Sequence, residues 1–247
     1  MKRYNPLLFD LDGVLLDYQM SETFALTNTF KSFDLNFDME KILKIYKKHN
    51  SRLWSEFEKG NVTTSELRIL RAKYLLEEIE LIQVKPDDFD KIYLSWLKKA
   101  DFLLPNVREI IEYFYKKKIL IAVTNGFKNV QYERLKSCHL LKYFDFIATS
   151  EEMGFQKPDY RFFRTLSIKF ANQKTNSSNK KNHPLVINGK LDLNNSIIIG
   201  ESLSSDIQGG INYGLTTCLY TKDLREYYEI KPDYIIDDLL ELKKIIG

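Results

Sequence analysis

Two kinds of apolar pattern alternate along the chain. Pro6-Leu7-Leu8-Phe9, Ile119-Leu120-Ile121-Ala122-Val123-Thr124, Phe146-Ile147-Ala148-Thr149 and Ser196-Ile197-Ile198-Ile199-Gly200 are short, unbroken runs. Runs of this kind suit strands buried on both faces. Short strands also follow at 216–220 and 234–236. Between them, the segments 107–118, 130–138, 158–170, 206–213 and 239–246 carry apolar residues at helical spacing. Strands alternating with helices predict an α/β fold, a doubly wound parallel sheet with right-handed crossovers.

The pattern is different after the first strand. From 18 to 99 it is almost wholly helical. Phe24, Leu26, Phe30 and Phe33 share one face, and Ile42, Ile45, Tyr46, Leu53, Trp54 and Phe57 continue until Gly60 stops the run. Thr63 and Glu66 have the offset of a capping box for a helix to about Ile82, and Pro86 opens another through Leu97. A helical block between two strands of one sheet predicts an inserted cap: a Rossmann-like core of 1–16 and 100–247, and a helical cap of 17–99. Residues 172–195 break the rhythm with Asn, Lys and Ser runs and read as a polar surface insert. Within it Asn188-Gly189 signals an exposed hairpin with no catalytic part.

Composition narrows the class. A chain of 247 residues has room for a core domain and a smaller insert, and 44% apolar with 29% charged residues is a globular balance. A net charge of +3 gives no reason to propose nucleic acid or a membrane as partner. Cys138 and Cys218 lack the spacing of a metal pair and read as free thiols of a reducing compartment. The run after Met1 is broken by Asp10 and Asp12, so no signal peptide is legible, and a cytoplasmic location is expected.

Candidate chemistry gathers at the strand ends, where open α/β sheets bind ligands. Asp10 and Asp12 follow the first run, and Gly13 lets the chain turn after them. One carboxylate can attack an electrophile while the other moves protons; an acidic surface turn has the same sequence. Thr124, Asn125 and Gly126 can hold an anionic oxygen through hydroxyl, amide and backbone N–H groups, or form an ordinary turn. Lys157, just before Pro158, can offset the charge of a carboxylate and a phosphate, although most lysines are solvated. Glu201 and Asp206 follow the most apolar run. Four acids at one crevice repel each other unless a cation intervenes, and a hard ion such as Mg²⁺ suits them. Asp206 alone also reads as a favourable acid near a helix start.

In this order, the set resembles the haloacid dehalogenase-like phosphohydrolase superfamily over nearly the whole chain, in its helical-cap subgroup. The resemblance implies that Asp10 attacks phosphorus to give an aspartyl-phosphate and that Asp12 protonates the leaving oxygen and then activates water. It implies Thr124 and Asn125 on phosphoryl oxygens, Lys157 on the charge, and Mg²⁺ held by Asp10, Asp12, Glu201 and Asp206. Members that cleave carbon–halogen bonds lack an acid at the place of Asp12, so phosphate esters are implied. The family usually has Asp where this chain has Glu201, which puts the metal geometry in question.

Leu16-Asp17-Tyr18, the segment 52–60, Thr124-Asn125-Gly126 and Gly154-Phe155-Gln156-Lys157-Pro158 further resemble the pyrimidine-nucleotide 5′-phosphatases. By that resemblance Asn125, Gly126, Asp17, Tyr18 and Trp54 bind phosphate or substrate. Tyr18, Trp54 and Phe155 can form a flat wall for a nucleobase or simply fill a core. A sugar-phosphate phosphatase or phosphomutase is the alternative within the superfamily, and a non-catalytic binding protein of the same fold is a third reading.

Overall fold

The computed structural model describes residues 4–176, 185–223 and 229–247. By contacts between its residues the chain forms two compact units: 1–17 with 103–128 and 139–247, and 18–102 with 129–138.

The first unit is built on a six-stranded parallel sheet. Its strands are β1 (Leu7–Phe9), β2 (Leu120–Thr124), β3 (Phe146–Thr149), β6 (Ile197–Gly200), β7 (Thr216–Tyr220) and β8 (Tyr234–Ile236), in the order β3-β2-β1-β6-β7-β8. β4 (Val186–Ile187) and β5 (Lys190–Leu191) form a separate antiparallel hairpin. The sheet is the doubly wound α/β arrangement that the apolar runs predict. β1 lies between β2 and β6, with Leu7 opposite both Leu120 and Ile197. The strand order therefore reverses at β1, and a crevice opens at the C-terminal ends on either side of it. Every residue of β1, β2 and β6 is buried, which explains why these strands read as continuous apolar runs.

Three sequence expectations are corrected here. The helix expected over 158–170 does not begin at Pro158: Lys157-Pro158 is a cis peptide within a turn, and the helix is Tyr160–Asn176. That helix runs into the stretch expected to be a polar insert. The expected hairpin is present, with Asn188 at φ 51 and Gly189 at φ 73, the pair of left-handed residues that a tight hairpin turn requires. It is not simply exposed, however. Leu191 and Leu193 are buried in the cluster formed by Phe162, Phe163, Leu166 and Phe170, so one side of the hairpin belongs to the core. The remainder of the insert, 177–184, lies outside the described residues.

The second unit packs the helices Tyr18–Ser32, Met39–Glu58, Thr64–Glu78 and Pro86–Leu97, with Lys128–Ser137 largely assigned to it. Thr63 and Glu66 make the reciprocal capping box legible in their spacing. Arg134 Nη2 donates to Ser21 Oγ at 2.9 Å and Ser137 Oγ to the Lys98 carbonyl at 3.3 Å, which ties the later helix to this unit. The interior is unexpectedly polar. Asp90 Oδ2 accepts from Arg68 Nε at 2.9 Å and Nη2 at 2.7 Å, while Oδ1 accepts from Arg71 Nη2 at 3.1 Å. Arg71 also lies over the Tyr93 ring, 4.8 Å from its centroid. Asn50 Nδ2 donates to Tyr18 Oη at 3.1 Å and to Glu22 Oε1 at 3.2 Å, and burial pushes the Glu22 carboxyl up to about 7. Among the described residues no helix is long and apolar enough to cross a membrane. Cys138 and Cys218 are both buried free thiols.

Candidate active site

Asp10 follows the last residue of β1, and its backbone N–H donates to the Ile199 carbonyl of β6 at 2.9 Å. This bond fixes the carboxylate at the reversal point of the sheet. Lys157 reaches the same place from the loop after β3. Its Nζ donates to Asp10 Oδ1 at 2.8 Å, to Asp206 Oδ1 at 2.5 Å and to the Val123 carbonyl at 3.0 Å. The Lys157 side chain is 1% exposed and that of Asp10 12%, so the ammonium is enclosed while the Asp10 carboxylate keeps a small window to solvent.

Local structure explains why these groups converge. Gly200 ends β6, and a Cβ there would lie 2.2 Å from Asp206 Cβ; the absent side chain is what lets Asp206 fold back against the strand end. Asp206 sits in a π-helical turn, Leu203–Ile207, capped by Ser202. Ser202 Oγ accepts from the Ser205 N–H at 3.1 Å, and the Ser202 N–H donates to Asp206 Oδ2 at 3.1 Å. Both carboxylate oxygens of Asp206 are thus held. π-turns of this kind recur at functional sites.

Asn125 meets a geometry different from the expected phosphate contact. Its Nδ2 donates to the Lys157 carbonyl at 2.9 Å and to Ser205 Oγ at 3.2 Å, and its Oδ1 accepts from the Lys157 N–H at 2.8 Å. The side chain is a brace between two loops. Ser150 Oγ supports it through the Asn125 carbonyl at 3.1 Å. Thr124 is buried at the end of β2, and its Oγ1 accepts from the Gly126 N–H at 2.9 Å. Ser150, Ser202 and Ser205 escaped the sequence reading, because serines beside turns carry no pattern; only the three-strand convergence reveals them. Asp17 ends the first unit, and Tyr18 and Trp54 belong to the second.

Charge in the crevice is unbalanced. Burial, followed by the nearby Asp206, raises the Asp10 carboxyl well above the usual carboxylate range, and Asp12 adds to it against the pull of Lys157. Desolvation of its carboxyl pushes Glu201 up to about 7, with Asp206 and Asp12 contributing in that order, although the residue as a whole is exposed. Burial works against the Lys157 ammonium, yet Asp10 and Asp206 together hold its pKa above that of an ordinary lysine. Mutually destabilised carboxylates offering hard oxygen donors fit a divalent cation such as Mg²⁺. Among the described residues no three His, Cys, Asp or Glu side chains form a ready-made cage.

A family model described as haloacid dehalogenase-like hydrolase matches residues 6–214. The chain belongs to this family and is a hydrolase of it. The HAD-hydrolase YfnB of Bacillus subtilis (strain 168) is 33% identical, covering 100% of this chain and 97% of that protein. A crystal structure of YfnB bound to magnesium, described as revealing interdomain movement, superposes with a TM-score of 0.83 at 31% identity over 99% of both chains. The pyrimidine 5′-nucleotidase PynA of Streptococcus pneumoniae (strain ATCC BAA-255 / R6) is 30% identical, covering 96% of this chain and 94% of its own length. The pyrimidine 5′-nucleotidase YjjG of Escherichia coli (strain K12) is 26% identical, at 99% and 98% coverage.

Proposed function

We propose that this protein is a Mg²⁺-dependent phosphomonoesterase working through an aspartyl-phosphate, with nucleoside 5′-monophosphates as its substrates. The observation that carries the reaction is the Lys157 ammonium shared by Asp10 and Asp206 at the reversal point of the sheet. By fixing Asp10 Oδ1, Lys157 orients the carboxylate so that Oδ2 attacks phosphorus. As that bond forms, the P–O bond to the leaving group breaks, and a proton from Asp12 goes to the departing oxygen. Water then attacks the phosphorus of the aspartyl-phosphate, Asp12 takes its proton, and Asp10 is released with inorganic phosphate. Thr124 is the side-chain contact to the phosphoryl oxygens, and Asn125 is the brace that holds Lys157. Bound Mg²⁺, held by carboxylates of Asp10, Glu201 and Asp206 with help from Asp12, would screen the phosphoryl charge from Asp10.

The substrate class draws its support from PynA and YjjG, which are called pyrimidine 5′-nucleotidases and match over nearly the full chain. Tyr18 and Trp54 are the side chains assigned to recognising the leaving group. A panel of phosphate esters with purified protein and Mg²⁺ tests both parts. Phosphate is expected from pyrimidine 5′-monophosphates with wild type and not with Asp10→Asn. Release from sugar phosphates alone would overturn the substrate, as would transfer of phosphate within a sugar. No release from any ester would overturn the reaction.

A further inference from the structure

Gly13, in the loop after β1, and Glu201, in the loop after β6, occupy the same space. A Cβ built on Gly13 would lie 1.8 Å from Glu201 Oε2, 2.0 Å from its Cδ and 2.5 Å from its Oε1. The Glu201 carboxylate therefore sits where any other residue at 13 would place its side chain. Gly200 provides the contrast. There the obstacle is Asp206 Cβ at 2.2 Å, the root of a side chain, which cannot swing away. At Gly13 the obstacle is the tip of a flexible chain, which an added Cβ would expel, on top of the strain that φ 74 places on any side chain there. Aspartate at 201, one methylene shorter, would not reach as far.

We propose that Gly13 and Glu201 are a matched pair: the missing side chain at 13 is the space from which Glu201 presents its carboxylate beside Asp12 to a divalent cation. Cation affinity then depends on a residue whose side chain offers no ligand atom. The inference rests on the Mg²⁺ reading above and deepens it.

Isothermal titration with MgCl₂ tests it on wild type, Gly13→Ala, Glu201→Asp and the double variant, with circular dichroism to establish folding. In the Glu201 background, Gly13→Ala is expected to weaken Mg²⁺ binding about tenfold, the equivalent of about 1.4 kcal/mol. In the Glu201→Asp background the same change should cost less than about threefold, because contacting residues couple while independent ones add. Equal weakening in both backgrounds, or none in either, overturns the pair. Should Gly13→Ala fail to fold, since Gly13 has φ 74, Gly13→Asn carries the same Cβ with a residue that tolerates left-handed backbone. A wild type that binds no Mg²⁺ overturns the metal reading together with the pair. Wild-type binding with additive variants overturns the pair alone.

Discussion

In the sheet unit one ammonium serves two carboxylates, and in the helical unit two guanidiniums serve one. Lys157 lies between Asp10 and Asp206, with Asp12 and Glu201 adding further negative charge. Asp90 is held by Arg68 on one oxygen and Arg71 on the other. The Lys157–Asp10–Asp206 and Arg71–Asp90 pairs are buried, and both systems have good hydrogen-bond geometry. They differ in what remains unsatisfied. Both oxygens of Asp90 are paired, Arg71 also lies over the Tyr93 ring, and the cluster joins the helices Thr64–Glu78 and Pro86–Leu97. The Asp10 cluster is short of positive charge, so its carboxylates destabilise one another. A buried pair of the first kind reads as architecture. One of the second kind reads as a place prepared for a cation and an electrophile.

The comparison breaks first at Asp10. Asp10→Asn is expected to lower phosphate release by about a thousandfold or more. Its melting temperature should not fall, because a desolvated charge has been removed. Residual activity within tenfold of wild type would mean the deficit of charge has nothing to do with the reaction. Asp90→Ala should do the reverse. It leaves Arg71 buried without its carboxylate and is expected to cost about 3–5 kcal/mol in urea unfolding.

Glu22 sharpens the contrast through pH. Its folded pKa, about 7, is raised above the ordinary 4.5, so the folded state binds the proton more tightly than the unfolded chain. Stability linked to Glu22 is therefore fully present below about 4.5 and is lost as pH rises through 7. Between pH 5 and 8 wild type should lose up to about 3 kcal/mol relative to Glu22→Gln, measured by urea unfolding at each pH. Parallel profiles for the two proteins would remove Glu22 from the account. The smallest effect belongs to Arg68, whose side chain is 40% exposed. Arg68→Ala should cost about 0.5–1 kcal/mol, since Arg71 still pairs with Asp90 and solvent screens the lost partner.

What the sequence disclosed follows from how local each signal is. β1, β2 and β6 are central strands buried on both faces, so their apolar runs are unbroken and their ends mark where Asp10, Thr124 and Glu201 emerge. Asn188-Gly189 and Thr63–Glu66 are turn and cap chemistries complete within a few residues. The Asp90 cluster had no such signal. Arg68 and Arg71 lie on one helix and Asp90 and Tyr93 on another, and the pattern of the segment registers only that each helix has an apolar face. Leu191 and Leu193 stand in a polar stretch, and their burial depends on Phe162 and Phe170 arriving from an earlier helix. The brace at Asn125 was hidden for the same reason: an amide after a strand looks identical whether it faces a ligand or the backbone of Lys157.

An ammonium has three hydrogens, and those of Lys157 go to Asp10, Asp206 and the Val123 carbonyl. None is left to grip an arriving ester. In the proposed reaction Lys157 acts through field and posture, and the ester's oxygens fall to other donors at the mouth of the crevice. Swapping lysine for a shorter cation would then cost catalysis by letting Asp10 swing, while leaving the ester's hold on the protein largely intact.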